Sequence, residues 1–144
     1  MVAYLDSSVL LQHVLCGDSS ISKAFQHDSV ISSELLNIEC MRVIHRYRLT
    51  GALNDAGFVE AMRRVNQVLD GVSIVGLSDT VRVRAGESFP VVVKTLDALH
   101  LATAIIFQQK RPESAVSIFS YDQTLNRCAQ ALGFHVEFEA SPPI

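Results

Sequence analysis

Short, wholly apolar runs alternate along the chain with longer stretches whose apolar positions recur every three or four residues. The first short run, "VAYL" (Val2–Leu5), predicts a strand that ends on Asp6, and the apolar stretch from Ser8 to about Cys16 predicts a helix stopped by Gly17-Asp18. "SSISKAFQHD" predicts a second short helix, Ser29–Ser32 a second strand, and residues from Ser33 to about Leu49 a long helix ended by Thr50-Gly51. A helix over Asn54 to Leu69 precedes a third strand, "VSIVGL", and Ser78 caps the next helix, "DTVRVRAGES". "FPVVVK" reads as a connection, "TLDALHLATAIIFQQK" as a helix and "AVSIFS" as the fourth strand. "YDQTLNRCAQALG" predicts a last helix with Gly133 as its stop, and the alternating "FHVEFE" a fifth, edge strand before the tail "ASPPI".

Strands that alternate with helices imply an α/β fold, a parallel sheet covered by helices on both faces. No repeat, low-complexity tract or linker interrupts the pattern, so a single domain over residues 1–139 and a tail over 140–144 are expected. The 144 residues suffice for a proper core, and 49% hydrophobic against 19% charged residues excludes disorder. No apolar run approaches the ~20 residues of a membrane span. The first residues lack a basic start and a cleavage-site pattern, so a cytoplasmic protein is expected. Cys16, Cys40 and Cys128 are widely spaced and read as thiols in a reducing compartment rather than as a metal or disulfide framework. A net charge of −3 argues against coating nucleic acid through a global positive field, but leaves room for a local basic patch.

In such folds ligands bind beyond the carboxyl ends of the strands, where the strand order reverses. Asp6 follows the first strand and Asp122 lies two residues past the fourth, so both belong to that edge. Each is also what a helix N-cap requires, and either reading stands for each residue alone. Asp97 lies in the first turn of "TLDALHLATAII", with Thr95 as the expected N-cap. That helix is apolar on nearly every side and therefore buried, so its polar stripe of Asp97, His100 and Thr103 needs partners; His100 reads as a hydrogen-bonded core histidine rather than a ligand. Glu39 is the most informative acid. It falls within the apolar stripe Leu35, Leu36, Val43 and Tyr47 of "SELLNIECMRVIHRY", too far inside the helix for capping to explain it; a pair with Arg42 is the alternative. Glu34, by contrast, is explained by the helix dipole.

Four carboxylates gathered at one edge repel one another unless a cation neutralises them. Hard oxygen donors without Cys or His spacing suit Mg²⁺ or Mn²⁺ rather than zinc, and such an ion takes substrate phosphate oxygens as further ligands. The chemistry this favours is metal-assisted hydrolysis of a phosphodiester. A phosphotransferase with Asp6 as nucleophile is disfavoured, because Ser8 stands where a second acid is wanted; a nucleotide site is disfavoured because there is no Gly-rich phosphate loop.

"YLDSSVL", "ISSELLNIECMRVI", "LDALHLATA" and "SYDQTLNRCAQALG" resemble, in order, the motif blocks of PIN-domain ribonucleases, most closely the VapC-type toxins of bacterial toxin–antitoxin pairs. The resemblance spans residues 2 to 138. It implies a single PIN-like domain, a five-stranded parallel sheet flanked by helices, with the activity of an Mg²⁺- or Mn²⁺-dependent endoribonuclease. Its metal carboxylates map onto Asp6, Glu39, Asp97 and Asp122, and Ser8 and Ser120 match small hydroxyl positions that orient ligands or water. It implies an RNA substrate, a small cognate antitoxin that inserts a peptide into the groove, and a homodimer. A non-catalytic PIN-like module that binds RNA or protein, and a stand-alone RNA-processing nuclease, are the alternatives.

Basic residues near these blocks are Arg42, Arg46 and Arg48 on the Glu39 helix, Arg63-Arg64 on the next, and Lys94 before the third block. Arg42, Arg46 and Lys94 are the candidates for RNA phosphate contacts; a solvated helix face accounts for the arginines equally well. No aromatic platform for base stacking is evident.

Overall fold

Every residue of β1 (Val2–Leu5) is buried, which a strand achieves only when both faces of its sheet are covered. In the computed structural model, whose described residues are 1–138, it is followed by α1 (Ser7–Cys16), α2 (Ile21–Ala24), β2 (Ser29–Ser33), α3 (Leu35–Leu49), α4 (Asp55–Leu69), β3 (Ser73–Val75) and α5 (Asp79–Ala85). The order then runs α6 (Thr95–Lys110), β4 (Val116–Phe119), α7 (Gln123–Ala131) and β5 (His135–Val136). The expected domain end at 139 and the tail 140–144 lie outside the described residues.

The five strands form one sheet in the order β3-β2-β1-β4-β5, and each neighbouring pair is parallel. The chain steps outward from β1 through β2 to β3, then crosses back to place β4 on the other side of β1. The order therefore reverses between β1 and β4, the place where such sheets open a ligand crevice. Side-chain alternation along β1 splits the core: Ala3 and Leu5 join Val9, Leu10, Leu36, Cys40, Ile44 and Val65 of α1, α3 and α4. Val2 and Tyr4 join Leu101, Ala104, Phe107, Leu125 and Cys128 of α6 and α7 on the opposite face. α6 is buried along most of its length, as its apolar circumference requires.

Four local differences from the sequence expectation follow. α3 begins at Leu35 rather than Ser33, because Ser33 still belongs to β2 and its hydroxyl accepts from the Leu35 N–H (3.2 Å). Its buried stripe is Leu36, Cys40 and Ile44; Val43 is only half-buried and Tyr47 is exposed, so Glu39 borders the stripe instead of lying in its middle. Glu34 does more than favour a helix dipole: its carboxylate accepts from the Leu77 N–H (2.5 Å) and ties α3 to the loop after β3. β5 covers only His135–Val136 of "FHVEFE", whose last residue lies outside the described ones; the Glu137 N–H still donates to the Ile118 carbonyl (3.0 Å), and Asn126 Nδ2 donates to the Phe138 carbonyl (2.9 Å). α1 stops at Gly17, whose φ of 71° is left-handed and suits glycine.

Candidate active site

Asp6 is where β1 ends and α1 begins. Its extended backbone makes it the N-cap, and Oδ2 accepts from the Ser8 N–H (3.4 Å). The cap is the weakest of its contacts. The Ser8 hydroxyl donates to the same oxygen at 2.7 Å and the Ser120 hydroxyl at 2.8 Å, leaving Asp6 only 5% exposed. The two serines also join the loops: Ser8 Oγ accepts from the Tyr121 N–H (2.9 Å) and Ser120 Oγ from the Asp122 N–H (3.0 Å). Ser32, at the end of β2, donates to the Leu5 carbonyl (2.6 Å) beneath them. The strand ends that carry Asp6 and Asp122 are thereby held in one frame.

Glu39 reaches this edge from α3, across the sheet from α6. Its partner is not Arg42, which is exposed, but His100: Glu39 Oε1 lies 2.5 Å from His100 Nε2. The other ring nitrogen, Nδ1, lies 2.7 Å from the Tyr4 hydroxyl, and Nε2 stands 3.9 Å from Asp6 Oδ1. His100 is a buried, fully bonded histidine, as its apolar helix implied, but its bonds tie it to the acids. Burial pulls its pKa down; the Glu39 hydrogen bond and the charges of Asp6, Glu39 and Asp97 outweigh that and leave it raised. Burial and the nearby carboxylates push the Tyr4 phenol well up, so it stays protonated.

Asp97 occupies the first turn of α6; the residue at the N-cap position is Lys94, not Thr95, and it makes no side-chain cap. The Asp97 carboxylate is half-buried and accepts no hydrogen bond among the described residues. Burial, and then the charges of Asp122 and Asp6, push it up to about 6, with His100 opposing and Glu39 adding to the rise. Asp122 is exposed and caps α7, accepting from the Leu125 N–H (3.0 Å). Asp97 therefore senses the charge of the other three acids, and no Lys or Arg pairs with any of the four among the described residues. They are not drawn into contact, since no three His, Cys, Asp or Glu side chains among the described residues close on a common ion position. A set of hard oxygens that His100 alone, and no Lys or Arg, faces among the described residues fits a divalent cation of the Mg²⁺ or Mn²⁺ kind.

The PIN domain family profile matches residues 3–130. The chain is a PIN-domain protein. It is 28% identical over 138 residues to ribonuclease VapC47 of Mycobacterium tuberculosis (strain CDC 1551 / Oshkosh), covering 91% of this chain and 92% of that protein. Among solved structures it is similar to VapBC2 of Rickettsia felis bound to a DNA fragment from its promoter, with a TM-score of 0.68 at 11% identity, covering 95% of this chain and 98% of the other. A toxin–antitoxin complex from Klebsiella pneumoniae has the same fold, with a TM-score of 0.64 at 15% identity and coverage of 97% and 99%.

Of the basic candidates in this PIN domain, Arg42, Arg46 and Lys94 are exposed and enter no ion pair among the described residues. Arg42 and Arg46 lie one and two turns beyond Glu39, and Lys94 stands three residues before Asp97 at the start of α6. Arg63 and Arg64 are committed elsewhere, both to Glu60, and Arg64 also to the Val14 carbonyl; Arg48 pairs with Asp55.

Residues that residue-by-residue reading passed over also shape the site. Tyr4 looked like any apolar strand position, yet its hydroxyl holds His100; a phenol on a fully buried strand, two residues before Asp6, was the available signal. Asn126 donates to both the Ser120 and Phe138 carbonyls (2.8 and 2.9 Å) and braces the loop that carries Asp122. Asp18 accepts from the Tyr121 hydroxyl (2.5 Å), linking the end of α1 to the same loop. No sequence spacing signals those last two.

Proposed function

We propose that this PIN-domain protein is an endoribonuclease that hydrolyses RNA phosphodiester bonds with Mg²⁺ or Mn²⁺ as its cofactor, and that it is the toxin of a toxin–antitoxin pair. The observation that carries the reading is Asp97: a half-buried carboxylate without a donor, pushed up to about 6 by burial and by neighbouring acids at the sheet's switch point. A structural acid would have been given a partner. The ribonuclease VapC47 relative over nearly the whole chain supports the activity. The fold likeness to a toxin–antitoxin complex agrees with the toxin role.

Asp6, Glu39, Asp97 and Asp122 are the residues that would hold the cation. Bound there, a divalent ion would lower the pKa of a bound water and offset charge on the phosphate. Ser8 and Ser120 fix the orientation of the Asp6 carboxylate by donating to it. Asn126 and the Asp122 cap set the height of the second loop. Arg42, Arg46 and Lys94 attract the RNA backbone at the rim. Among the described residues no helix is long and apolar enough to cross a membrane, in keeping with action on cytoplasmic RNA. A cognate antitoxin and a homodimer complete the reading.

The test is cleavage of total cellular RNA by the purified protein with Mg²⁺, Mn²⁺ or EDTA, beside Asp97→Asn. Discrete, metal-dependent fragments that vanish in the variant are expected. A folded protein that leaves RNA intact with either metal contradicts the nuclease reading.

A further inference from the structure

Glu39 is the one acid of the four that no helix start explains, and its surroundings assign work to two residues that do not themselves ligate. His100 Nε2 lies 2.5 Å from Glu39 Oε1, and Nδ1 lies 2.7 Å from the Tyr4 hydroxyl. A carboxylate only accepts, so the hydrogen is on Nε2 whatever the charge of the ring. The Tyr4 oxygen can serve Nδ1 as donor or acceptor, so the ring is held in either case. His100 and Tyr4 are each 1% exposed, and their rings meet edge to face at 5.8 Å. The contact joins three layers: Tyr4 on the central strand, His100 on α6 and Glu39 on α3.

Most side-chain hydrogen bonds in a core go to backbone groups or water. His100 spends both nitrogens on side chains, and one of those is an acid of the site. Nε2 also stands 3.9 Å from Asp6 Oδ1, so the same N–H lies between two of the acids. Glutamate has rotamer freedom that must be surrendered when it binds an ion. A partner that fixes it beforehand removes that cost from ion binding.

We propose that His100, anchored by Tyr4, is the positioning residue for Glu39: it holds Oε1 and leaves Oε2, which accepts no hydrogen bond among the described residues, to the cation. This rests on reading the acids as a divalent-cation site. It differs from that reading in predicting that cation affinity depends on two residues that never touch the ion.

The experiment is a Mn²⁺ titration of the full chain, read by electron paramagnetic resonance of the free ion, for wild type, His100→Leu, His100→Gln and Tyr4→Phe. Loss of the N–H in His100→Leu is expected to weaken Mn²⁺ binding by roughly 10- to 100-fold, in line with lost outer partners at metal sites. His100→Gln, whose amide donates, should recover part of the loss, and Tyr4→Phe should weaken binding by a smaller factor. Wild-type affinity in a folded His100→Leu overturns the proposal alone. If His100→Leu does not fold, Tyr4→Phe decides, and an unchanged affinity there overturns it. A wild type that binds no Mn²⁺ overturns the cation reading, and the proposal with it.

Discussion

The two halves of the acidic edge are built differently. On one side Asp6 takes the hydroxyls of Ser8 and Ser120, and Glu39 takes His100. On the other, Asp97 accepts nothing among the described residues, and exposed Asp122 gives one oxygen to a helix cap. The first half is held by protein donors before any ion arrives. The second keeps charge that His100 and one helix cap offset only in part. Burial alone does not separate them, since Asp97 is half-buried; the supply of donors does. If the acids hold a cation as proposed, the bonded pair would set its geometry, and the unbonded Asp97 would add affinity at a cost in metal-free stability.

The largest effect that would sharpen this contrast is on activity. Asp97→Asn is expected to reduce metal-dependent RNA cleavage by at least about a hundredfold while the protein stays folded, since no hydrogen bond is lost. Cleavage rates beside circular dichroism check both halves of that statement. Asp6→Asn should lose activity to a similar degree and also destabilise the protein, by about 1–2 kcal/mol, because the amide cannot accept from Ser8 and Ser120 as the carboxylate does. Equal denaturation midpoints for Asp6→Asn and Asp97→Asn would erase the distinction between the halves.

A pH series addresses the unbonded half directly. The Asp97 carboxyl is pushed up to about 6 in the folded chain, against about 3.9 for a free aspartate. Between those values the folded state holds a proton that the unfolded state has released, so metal-free stability falls as pH rises through that window. The expected loss is on the order of 1–2 kcal/mol, and Asp97→Asn should flatten it. The smallest effect concerns the rim: Arg42→Ala should raise KM severalfold and leave kcat nearly unchanged, because an exposed phosphate contact adds to binding in the ground and transition states alike.

Much of this was legible in the sequence. Apolar runs located all five strands, and the rule about parallel sheets brought Asp6 and Asp122 to one edge before any coordinates. Glu39 stood out because a helix interior offers an acid no cap. The periodic reading nevertheless placed its stripe wrongly: Leu36, Cys40 and Ile44 face the core, and Cys40 was not counted as apolar. What could not be read were contacts between residues far apart in the chain. Tyr4 and His100 are separated by 96 positions, and neither carries a mark of the other. Asn126 and Asp18 act through backbone and hydroxyl groups that exist only once the loops have met.

The central claim is that Asp97, the acid without a donor, awaits a divalent cation, and thermal melts at pH 7 test it most directly, with EDTA and with millimolar Mn²⁺, for wild type and Asp97→Asn. The account predicts that Mn²⁺ raises the wild-type midpoint by several degrees and leaves the variant unmoved, while in EDTA the variant melts above wild type. Equal Mn²⁺ shifts in both proteins, or none in wild type, would contradict it.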